Sequence, residues 1–167
     1  IDDYAFPIFS DEEGGYGNPK VFAYTCGAKN TNNNDNGYAP INTGLSPNND
    51  SLFFASTTFE MYKNVYGIDK PTGNDLPIRI YTHVGKLDNA YALGTEYEGG
   101  EIVAHQQLVV GNGRTYFTPL SQGTLAHEIS HNVTDNYSRL IYNKQSGGMN
   151  EAFSDMAEVA LYQHLSD

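Results

Sequence analysis

The sequence has no tryptophan, only one cysteine and few basic residues. The single cysteine, Cys26, excludes a disulfide within these 167 residues and any metal site built from several thiolates. Its thiol is either a small core or surface group, or is paired with a cysteine elsewhere in a longer protein. Lys and Arg number 9 against 20 Asp and Glu, giving a formal net charge of −11. Without a basic cluster to neutralise phosphates, a nucleic-acid partner is not expected.

Long apolar runs are missing as well. No segment approaches the roughly 20 apolar residues that span a bilayer, so membrane insertion is not expected. Charged residues are only 17% of the chain, whereas Asn and Gly contribute 17 residues each, so much of the surface is neutral and polar. The chain starts at Ile1 and has no basic and apolar leader. The neutral polar surface favours a secreted protein, which we expect to be made as a zymogen. Any targeting segment either has been removed or lies outside the sequence given.

The apolar content is nevertheless sufficient for a folded core. Hydrophobic residues make up 39% of the chain and aromatic residues 13%, which argues against disorder. A chain of 167 residues fits one core, and we find neither an internal repeat nor an interior linker. The sequence therefore predicts one domain that spans residues 1–167.

Local patterns divide the chain into a turn-rich half and a more periodic half. Before about residue 49, clusters of Gly, Asn and Pro separate short β-like runs such as residues 21–25. The next segment is predicted to be a helix that Asp50 caps and Gly67 ends. Local patterns predict three further strands, at residues 78–84, 102–110 and 115–117, and two further helices, at residues 122–137 and 150–165. The predicted fold class is α+β, with a twisted β-rich region and helices packed on it.

Two histidines in the last third of the chain have the spacing of metal ligands on a helix. His127 and His131 are four residues apart, an advance of about 400° and about 6 Å, so both imidazoles lie on one face. Zinc prefers nitrogen and oxygen ligands, and a catalytic site keeps one position for water, so a third protein ligand is needed. Glu128 lies about 100° around the helix from His127, where a carboxylate can accept a proton from water.

A second predicted helix supplies the missing groups. Glu151 and Asp155 are four residues apart and share one face of it. Glu151 can complete the metal site, while Asp155 can hydrogen-bond a ligand imidazole and fix its orientation. Chance alone produces the H-E-x-x-H pattern in roughly one such sequence in a hundred, so the second helix adds weight to the metal-site interpretation.

The stretch from residue 127 to residue 156 resembles the active-site region of the thermolysin-like neutral zinc metalloproteases, including their bacterial elastase branch. The sequence reads H-E-I-S-H at 127–131 and N-E-A-F-S-D at 150–155, with nineteen residues between His131 and Glu151 as in that family. Related zinc aminopeptidases have one residue fewer and a Gly-x-Met-Glu-Asn motif, which is absent. No histidine occurs six residues beyond His131, which excludes the metzincins.

The resemblance implies roles for individual residues. It implies that His127, His131 and Glu151 bind Zn²⁺ and that Glu128 is the general base. It also implies that Tyr142, eleven residues past His131, donates a hydrogen bond to the oxyanion. Through the segment Asn89-Ala90-Tyr91, it implies that Asn89 and Ala90 hold the substrate in extended form along the strand near residues 102–110.

The sequence also departs from the family. The family has a helical carboxy-terminal lobe after the helix that bears Glu151. The sequence given ends at Asp167, so this lobe of the same protein is expected to be a missing partner. An aspartate of the family stands four residues before the first zinc histidine, where this chain has Gly123, and Tyr162 replaces an acidic residue of a calcium cluster. Whether Ca²⁺ binds is therefore left open.

The expected activity is that of a secreted zinc endopeptidase acting on proteins or peptides. The resemblance implies cleavage before bulky hydrophobic residues. One alternative is a truncated, catalytically incompetent fragment that binds zinc and peptides but cannot hydrolyse the peptides. Another is a structural zinc domain, which requires a fourth protein ligand that the sequence does not offer.

Overall fold

The computed structural model describes residues 5–7, 21–26, 47–73, 77–82, 84, 87–104, 106–111 and 120–166. Within these residues the strands are β1 (Ala5–Pro7), β2 (Val21–Cys26), β3 (Ile78–Thr82), β4 (Ala90–Leu93), β5 (Glu96–Glu98), β6 (Glu101–Ala104) and β7 (Gln107–Val110). The helices are α1 (Pro47–Tyr66), α2 (Gln122–Val133) and α3 (Lys144–His164), and a π-helical turn (Thr134–Ser138) continues α2. Two predictions cannot be compared with the structure: the strand at residues 115–117 lies outside the described residues, and so does the side chain of Cys26.

Five strands form one mixed sheet in the order β1-β2-β3-β7-β4. The pairs β2–β3 and β3–β7 are parallel, whereas β1–β2 and β4–β7 are antiparallel. Strand β4 is thus an edge strand of this sheet as far as it is described. Three helices accompany the sheet, and the α+β prediction is confirmed.

The strand predicted at residues 102–110 is wrong, because that segment forms two strands in different sheets. β6 pairs with β5 in a hairpin whose turn residues Gly99 and Gly100 have φ angles of 60° and 89°, a conformation that favours glycine. β7 instead lies between β3 and β4. The side chain of Gln106, just before β7, is buried and donates to the Thr72 carbonyl oxygen at 3.0 Å. Gln106 and this long-range contact lie in the gap between β6 and β7.

Helix ends follow the sequence only in part. Gly67 ends α1 with a φ angle of 68°, as predicted, but α1 begins at Pro47, so the Asp50 N-cap is wrong. Proline suits the first turn, and the Asp50 carboxylate lies in that turn, where the helix dipole favours negative charge. α3 begins at Lys144, six residues before the predicted start at residue 150. The low helix propensity of Gly147 hides this first part of the helix in the sequence, but in the structure Gly147 is helical and packed.

The core lies between the sheet and the helices. Its largest fully buried apolar side chains come from α1, β3, β7, α2 and α3, and they are Tyr62, Met61, Ile78, Ile80, Leu108, Val110, Leu125, Ile129 and Leu161. The burial of β3 alternates, with Ile78, Ile80 and Thr82 inside, as the predicted strand requires. None of the helices described is both long and apolar enough to cross a membrane.

A buried hydrogen bond fastens α1 to α2. The Ser130 hydroxyl donates to the Ala126 carbonyl oxygen at 2.5 Å, so the Tyr62 hydroxyl, 2.6 Å from Ser130 Oγ, is the donor of that pair. Burial raises the pKa of Tyr62 to about 12. The bond holds α1 against the helix turn that separates His127 from His131.

We expect Tyr62→Phe to lower the free energy of unfolding by about 1–3 kcal/mol, because it removes a donor from the buried Ser130 hydroxyl. Urea denaturation measures the change. Tyr66→Phe is the control, since that ring is 53% exposed and its loss of a hydroxyl should change stability by less than about 0.5 kcal/mol. Equal effects of the two substitutions would contradict this assignment.

Candidate metal centre

Helix α2 presents its two histidines side by side. Its N-cap, Ser121, accepts a hydrogen bond from the Thr124 backbone N–H at 3.0 Å, and Ile129 packs into the core on another face. This arrangement turns His127 and His131 away from the core, with their ring centroids 4.8 Å apart. Both imidazoles are only partly exposed.

Helix α3 fixes the orientation of both rings. Asp155 Oδ1 lies 3.0 Å from His127 Nδ1, and Asn150 Oδ1 lies 2.7 Å from His131 Nδ1. Because these oxygens are acceptors, each Nδ1 carries a proton and donates it. Each Nε2 is then left with an unprotonated lone pair.

Those lone pairs converge with the carboxylate of Glu151. The two Nε2 atoms are 3.1 Å apart, His127 Nε2 is 3.1 Å from Glu151 Oε2, and His131 Nε2 is 3.7 Å from Glu151 Oε1. These three acceptors have no proton between them, so they repel one another unless all three bind the same cation. In a tetrahedral zinc site, ligand atoms about 2.05 Å from the metal are about 3.3 Å apart, so the donor set and its spacing fit zinc.

The structure brings several of the predicted site residues together and adds one that the sequence did not predict. The structure brings together His127, His131 and Glu151, whose ligand atoms could hold a metal ion, and Asp155 contacts a ligand ring. Asn150 was missed, although it directly precedes Glu151 and is 1% exposed. A polar residue next to a ligand on the buried face of α3 was the available signal.

Glu128 lies beside the histidines on the floor of a cleft. The residue is 8% exposed, and the Ala92 backbone N–H of β4 donates to its carboxylate. Burial raises the pKa of Glu128, and the neighbouring His131 and His127 side chains act in the opposite direction. A desolvated carboxylate at this position is suited to accept a proton.

Tyr142 lies at the rim of the same cleft. Its ring is edge-on to His131, with centroids 5.9 Å apart, and 64% of the residue is exposed. Its hydroxyl donates to Glu151 Oε1. This bond raises the pKa of Tyr142 and lowers that of Glu151. Tyr142 therefore reaches a predicted metal ligand in this conformation.

The cleft encloses about 500 Å³ and is bordered by β4. Asn89 and Ala90 line it, as do Tyr142 and Glu128, but β7 is covered by β4 and offers no free edge there. The Gly111 backbone N–H donates to the Asn89 carbonyl oxygen at 3.1 Å, so the alternation of antiparallel bonds directs the backbone groups of Ala90 and Ala92 away from β7. The extended edge at the cleft is β4, which the sequence did not predict.

The residues that raised the calcium question do not assemble a second metal-ligand group. Glu158 contacts the position that a Cβ at Gly123 would occupy, and Tyr162 is 44% exposed. Within the described part of the chain, the one group of three or more potential metal ligands is that of His127, His131 and Glu151. Calcium binding stays open.

A comparison with protein families matches residues 10–135 to the thermolysin metallopeptidase catalytic domain. The match covers more than half of the chain, and the chain belongs to the thermolysin metallopeptidase family. A precursor of protealysin, a metalloproteinase from Serratia proteamaculans, has a similar fold, with a TM-score of 0.61 and 22% identity. The similarity covers 77% of this chain and 38% of that one.

Several curated proteins are similar in sequence. The zinc metalloproteinase MspA of Legionella longbeachae is 36% identical over 87% of this chain and 26% of its own length. The neutral protease of Vibrio proteolyticus is 36% identical over 82% of this chain and 20% of its own length. The extracellular elastase of Staphylococcus epidermidis is 35% identical over 64% of this chain and 21% of its own length. The chain thus spans about a fifth to a quarter of the length of these relatives.

Proposed function

We propose that residues 1–167 form the amino-terminal catalytic lobe of a zinc endopeptidase. One observation carries the proposal: three acceptor atoms converge at His127, His131 and Glu151, while both Nδ1 protons are engaged elsewhere. His127, His131 and Glu151 would hold the zinc, and Asp155 and Asn150 would orient the histidines. When bound, zinc supplies Lewis-acid chemistry that activates water and polarises a carbonyl group.

Glu128 is proposed to be the general base. Its carboxylate faces the cleft between the histidines and β4, where it would take a proton from the attacking water and pass it to the leaving amine. The Ala92 N–H holds this carboxylate in place. Transfer of the proton through a positioned carboxylate requires no covalent intermediate with the protein.

Tyr142 is proposed to stabilise negative charge on the substrate carbonyl oxygen. Its ring is largely exposed and its hydroxyl already lies at the site, so rotation of the side chain would exchange the bond to Glu151 for one to the oxyanion. A donor that stabilises the transition state more than the ground state lowers the barrier to reaction.

The substrate is proposed to bind as an extra strand on the free edge of β4. Asn89 and Ala90 border the cleft there, and the outward N–H and carbonyl groups of Ala90 and the outward carbonyl oxygen of Ala92 can pair with an extended peptide. By family resemblance, the residue after the scissile bond would be bulky and hydrophobic. The opposite wall of the cleft would come from a helical carboxy-terminal lobe, in keeping with the greater length of the relatives. A relative named extracellular elastase supports secretion.

The proposal is tested by the zinc dependence of peptide hydrolysis. The purified protein should lose hydrolysis of a quenched fluorescent peptide when a chelator removes the metal, and one equivalent of Zn²⁺ should restore it. Hydrolysis that is unchanged after verified metal removal would contradict the proposal.

A second candidate is a fragment that binds zinc and peptides without turnover. The small share of the relatives that this chain spans, 20–26%, favours it. Both candidates predict zinc binding and peptide binding. If the chain binds a peptide but does not hydrolyse it, and a longer product of the same gene does, this second candidate describes the chain.

The residues that orient the histidines allow a prediction about zinc affinity. Asp155→Ala and Asn150→Ala are each expected to weaken zinc affinity about 10–100-fold, because the ligand imidazoles lose the acceptors that fix their tautomers. Competition with a chromophoric chelator measures the affinity. Gln163→Ala, at an exposed position of α3, is the control and should leave zinc affinity unchanged. An unchanged affinity in both test variants would contradict the assigned roles.

A further inference from the structure

The segment that carries Tyr142, residues 139–144, is short and conformationally constrained. It links the π-helical turn to α3, and its first and last residues, Arg139 and Lys144, have φ angles of 53° and 49°. These left-handed conformations cost free energy in residues other than glycine, so hydrogen bonds must hold the segment in this shape. The Arg139 N–H donates to the Thr134 carbonyl oxygen at 2.9 Å, which fixes the beginning of the segment.

Tyr142 is the middle residue of a tight turn inside this segment. The Asn143 N–H donates to the Ile141 carbonyl oxygen at 2.7 Å, so the turn closes over only three residues. The side chain of Tyr142 does little to hold the turn in place, because 64% of the residue is exposed. The position of the Tyr142 hydroxyl therefore depends on where this turn places the backbone.

The Ser146 hydroxyl bridges the carbonyl groups on the two sides of Tyr142. Its Oγ atom lies 2.5 Å from the Ile141 carbonyl oxygen and 2.8 Å from that of Asn143. A serine hydroxyl has one proton, so the two oxygens share it. The N–H of Gly147, which is buried, also donates to the Asn143 carbonyl oxygen, at 3.1 Å. The first turn of α3 thus holds the backbone around Tyr142.

We propose that Ser146 is a positioning residue for Tyr142. Its hydroxyl fixes the carbonyl groups before and after Tyr142, so the backbone stays in place while the side chain rotates from Glu151 to the oxyanion. A serine near the start of a helix commonly bonds a backbone group of its own helix end. The bond from Ser146 to Ile141 instead reaches five residues back, outside α3, and ties the helix to the turn. The inference rests on the proposed function, since it requires that Tyr142 act on a bound substrate.

Hydrogen exchange tests this bridge without any activity. We expect Ser146→Ala to speed exchange of the Asn143 and Gly147 amide protons about tenfold, because loss of the shared proton loosens the turn. Alanine favours helix, so α3 itself should be retained. Ser166→Ala is the matched control, since that hydroxyl donates to the Tyr162 carbonyl oxygen at 2.8 Å beyond the other end of α3. Unchanged exchange in Ser146→Ala would overturn the bridge.

Kinetics of the zinc-loaded chain show whether the bridge serves Tyr142. Ser146→Ala should lower kcat about 3- to 10-fold and change KM less than about twofold, because the donor is still present but less well placed. Ser146→Thr, which keeps the hydroxyl, should retain the parent kcat. In a Tyr142→Phe background, Ser146→Ala should have no further effect, since the hydroxyl that it positions is gone.

Affinity for a phosphinic peptide gives the same comparison without turnover. Its anionic tetrahedral phosphorus group resembles the addition product of water and a peptide carbonyl, so its affinity reports donors to the oxyanion. We expect Ser146→Ala to weaken its binding about 3- to 10-fold in the zinc-loaded chain, and to leave it unchanged when Tyr142→Phe is also present. Ser166→Ala should have no effect in either background.

The outcomes separate this inference from the proposed function. Equal losses from Ser146→Ala with and without Tyr142→Phe would overturn the positioning role, because damage to the fold or the zinc site does not depend on the Tyr142 hydroxyl. Unchanged kcat and unchanged phosphinic-peptide affinity would overturn it as well. If the parent chain binds the phosphinic peptide but hydrolyses nothing, turnover by this chain is contradicted, and the affinities alone decide the role of Ser146. A zinc-loaded parent that binds no phosphinic peptide would contradict both.

Discussion

Glu128→Gln is expected to reduce the kcat of peptide hydrolysis about 10²- to 10⁴-fold while zinc remains bound. The amide has nearly the shape of the carboxylate but cannot take a proton from water, and general base catalysis contributes an acceleration of this size. Glu128 is 8% exposed, lies next to a predicted zinc ligand and is not itself part of the converging ligand set. Steady-state kinetics with a fluorogenic peptide and metal analysis of the same preparation measure both quantities.

Glu60→Gln is the matched control for this substitution. Glu60 is an exposed residue of α1 and does not line the cleft, so its replacement should leave kcat and zinc content unchanged. Hydrolysis by Glu128→Gln at the rate of the parent protein would contradict the assignment of the base. A loss of zinc along with activity would instead indicate that Glu128 acts by supporting the metal site.

His131→Ala is expected to abolish hydrolysis and to weaken zinc binding by more than about 100-fold. Loss of a hydrogen-bonding neighbour of a ligand typically costs 10–100-fold in affinity, and removal of one of three protein ligands should cost more. The substitution also deprives Asn150 of the partner that its buried Oδ1 contacts at 2.7 Å. Zinc titration against a competing chelator measures the loss.

The control for His131→Ala is His164→Ala. His164 lies at the end of α3 and is not among the residues of the metal-ligand group. It should therefore retain zinc affinity and activity. Circular dichroism of both variants establishes whether the helices are preserved. A folded His131→Ala chain that binds zinc as tightly as its parent would contradict the ligand set.

Local sequence signals predicted those features of the fold that depend on neighbouring residues. Gly67 ends α1, the alternation of Ile78 and Ile80 marks β3, and α2 begins at Gln122 as expected. The errors arose where contacts between distant residues determine the boundaries of the strands. Gln106 bonds to Thr72 across the fold and separates β6 from β7, and no pattern within residues 102–110 records that contact.

The candidate site was predictable to the extent that helical spacing controls it. Four-residue spacing brings together His127 and His131 on α2, and it places Glu151 and Asp155 on one face of α3. The packing of α3 against α2 decides which residue meets which ring, so the contact between Asn150 and His131 was not foreseen. Likewise, only the register of β4 on β7 reveals which strand borders the cleft.

The conformation of Tyr142 also could not be predicted from the sequence. Family resemblance implied a contact with the oxyanion, whereas the hydroxyl bonds to Glu151 in the structure. An exposed tyrosine next to an ionised carboxylate can donate a hydrogen bond to it. Its proposed role therefore depends on a rotation that occurs when substrate binds.

The most direct test of the account is an anomalous difference map collected at the zinc absorption edge from crystals of the zinc-loaded protein. We expect a strong peak within about 2.0–2.2 Å of His127 Nε2, His131 Nε2 and a Glu151 oxygen. The map should also place both Nδ1 atoms within hydrogen-bonding distance of Asp155 and Asn150. A zinc-loaded protein with no peak at these three side chains, or with its zinc bound elsewhere, would contradict the central claim.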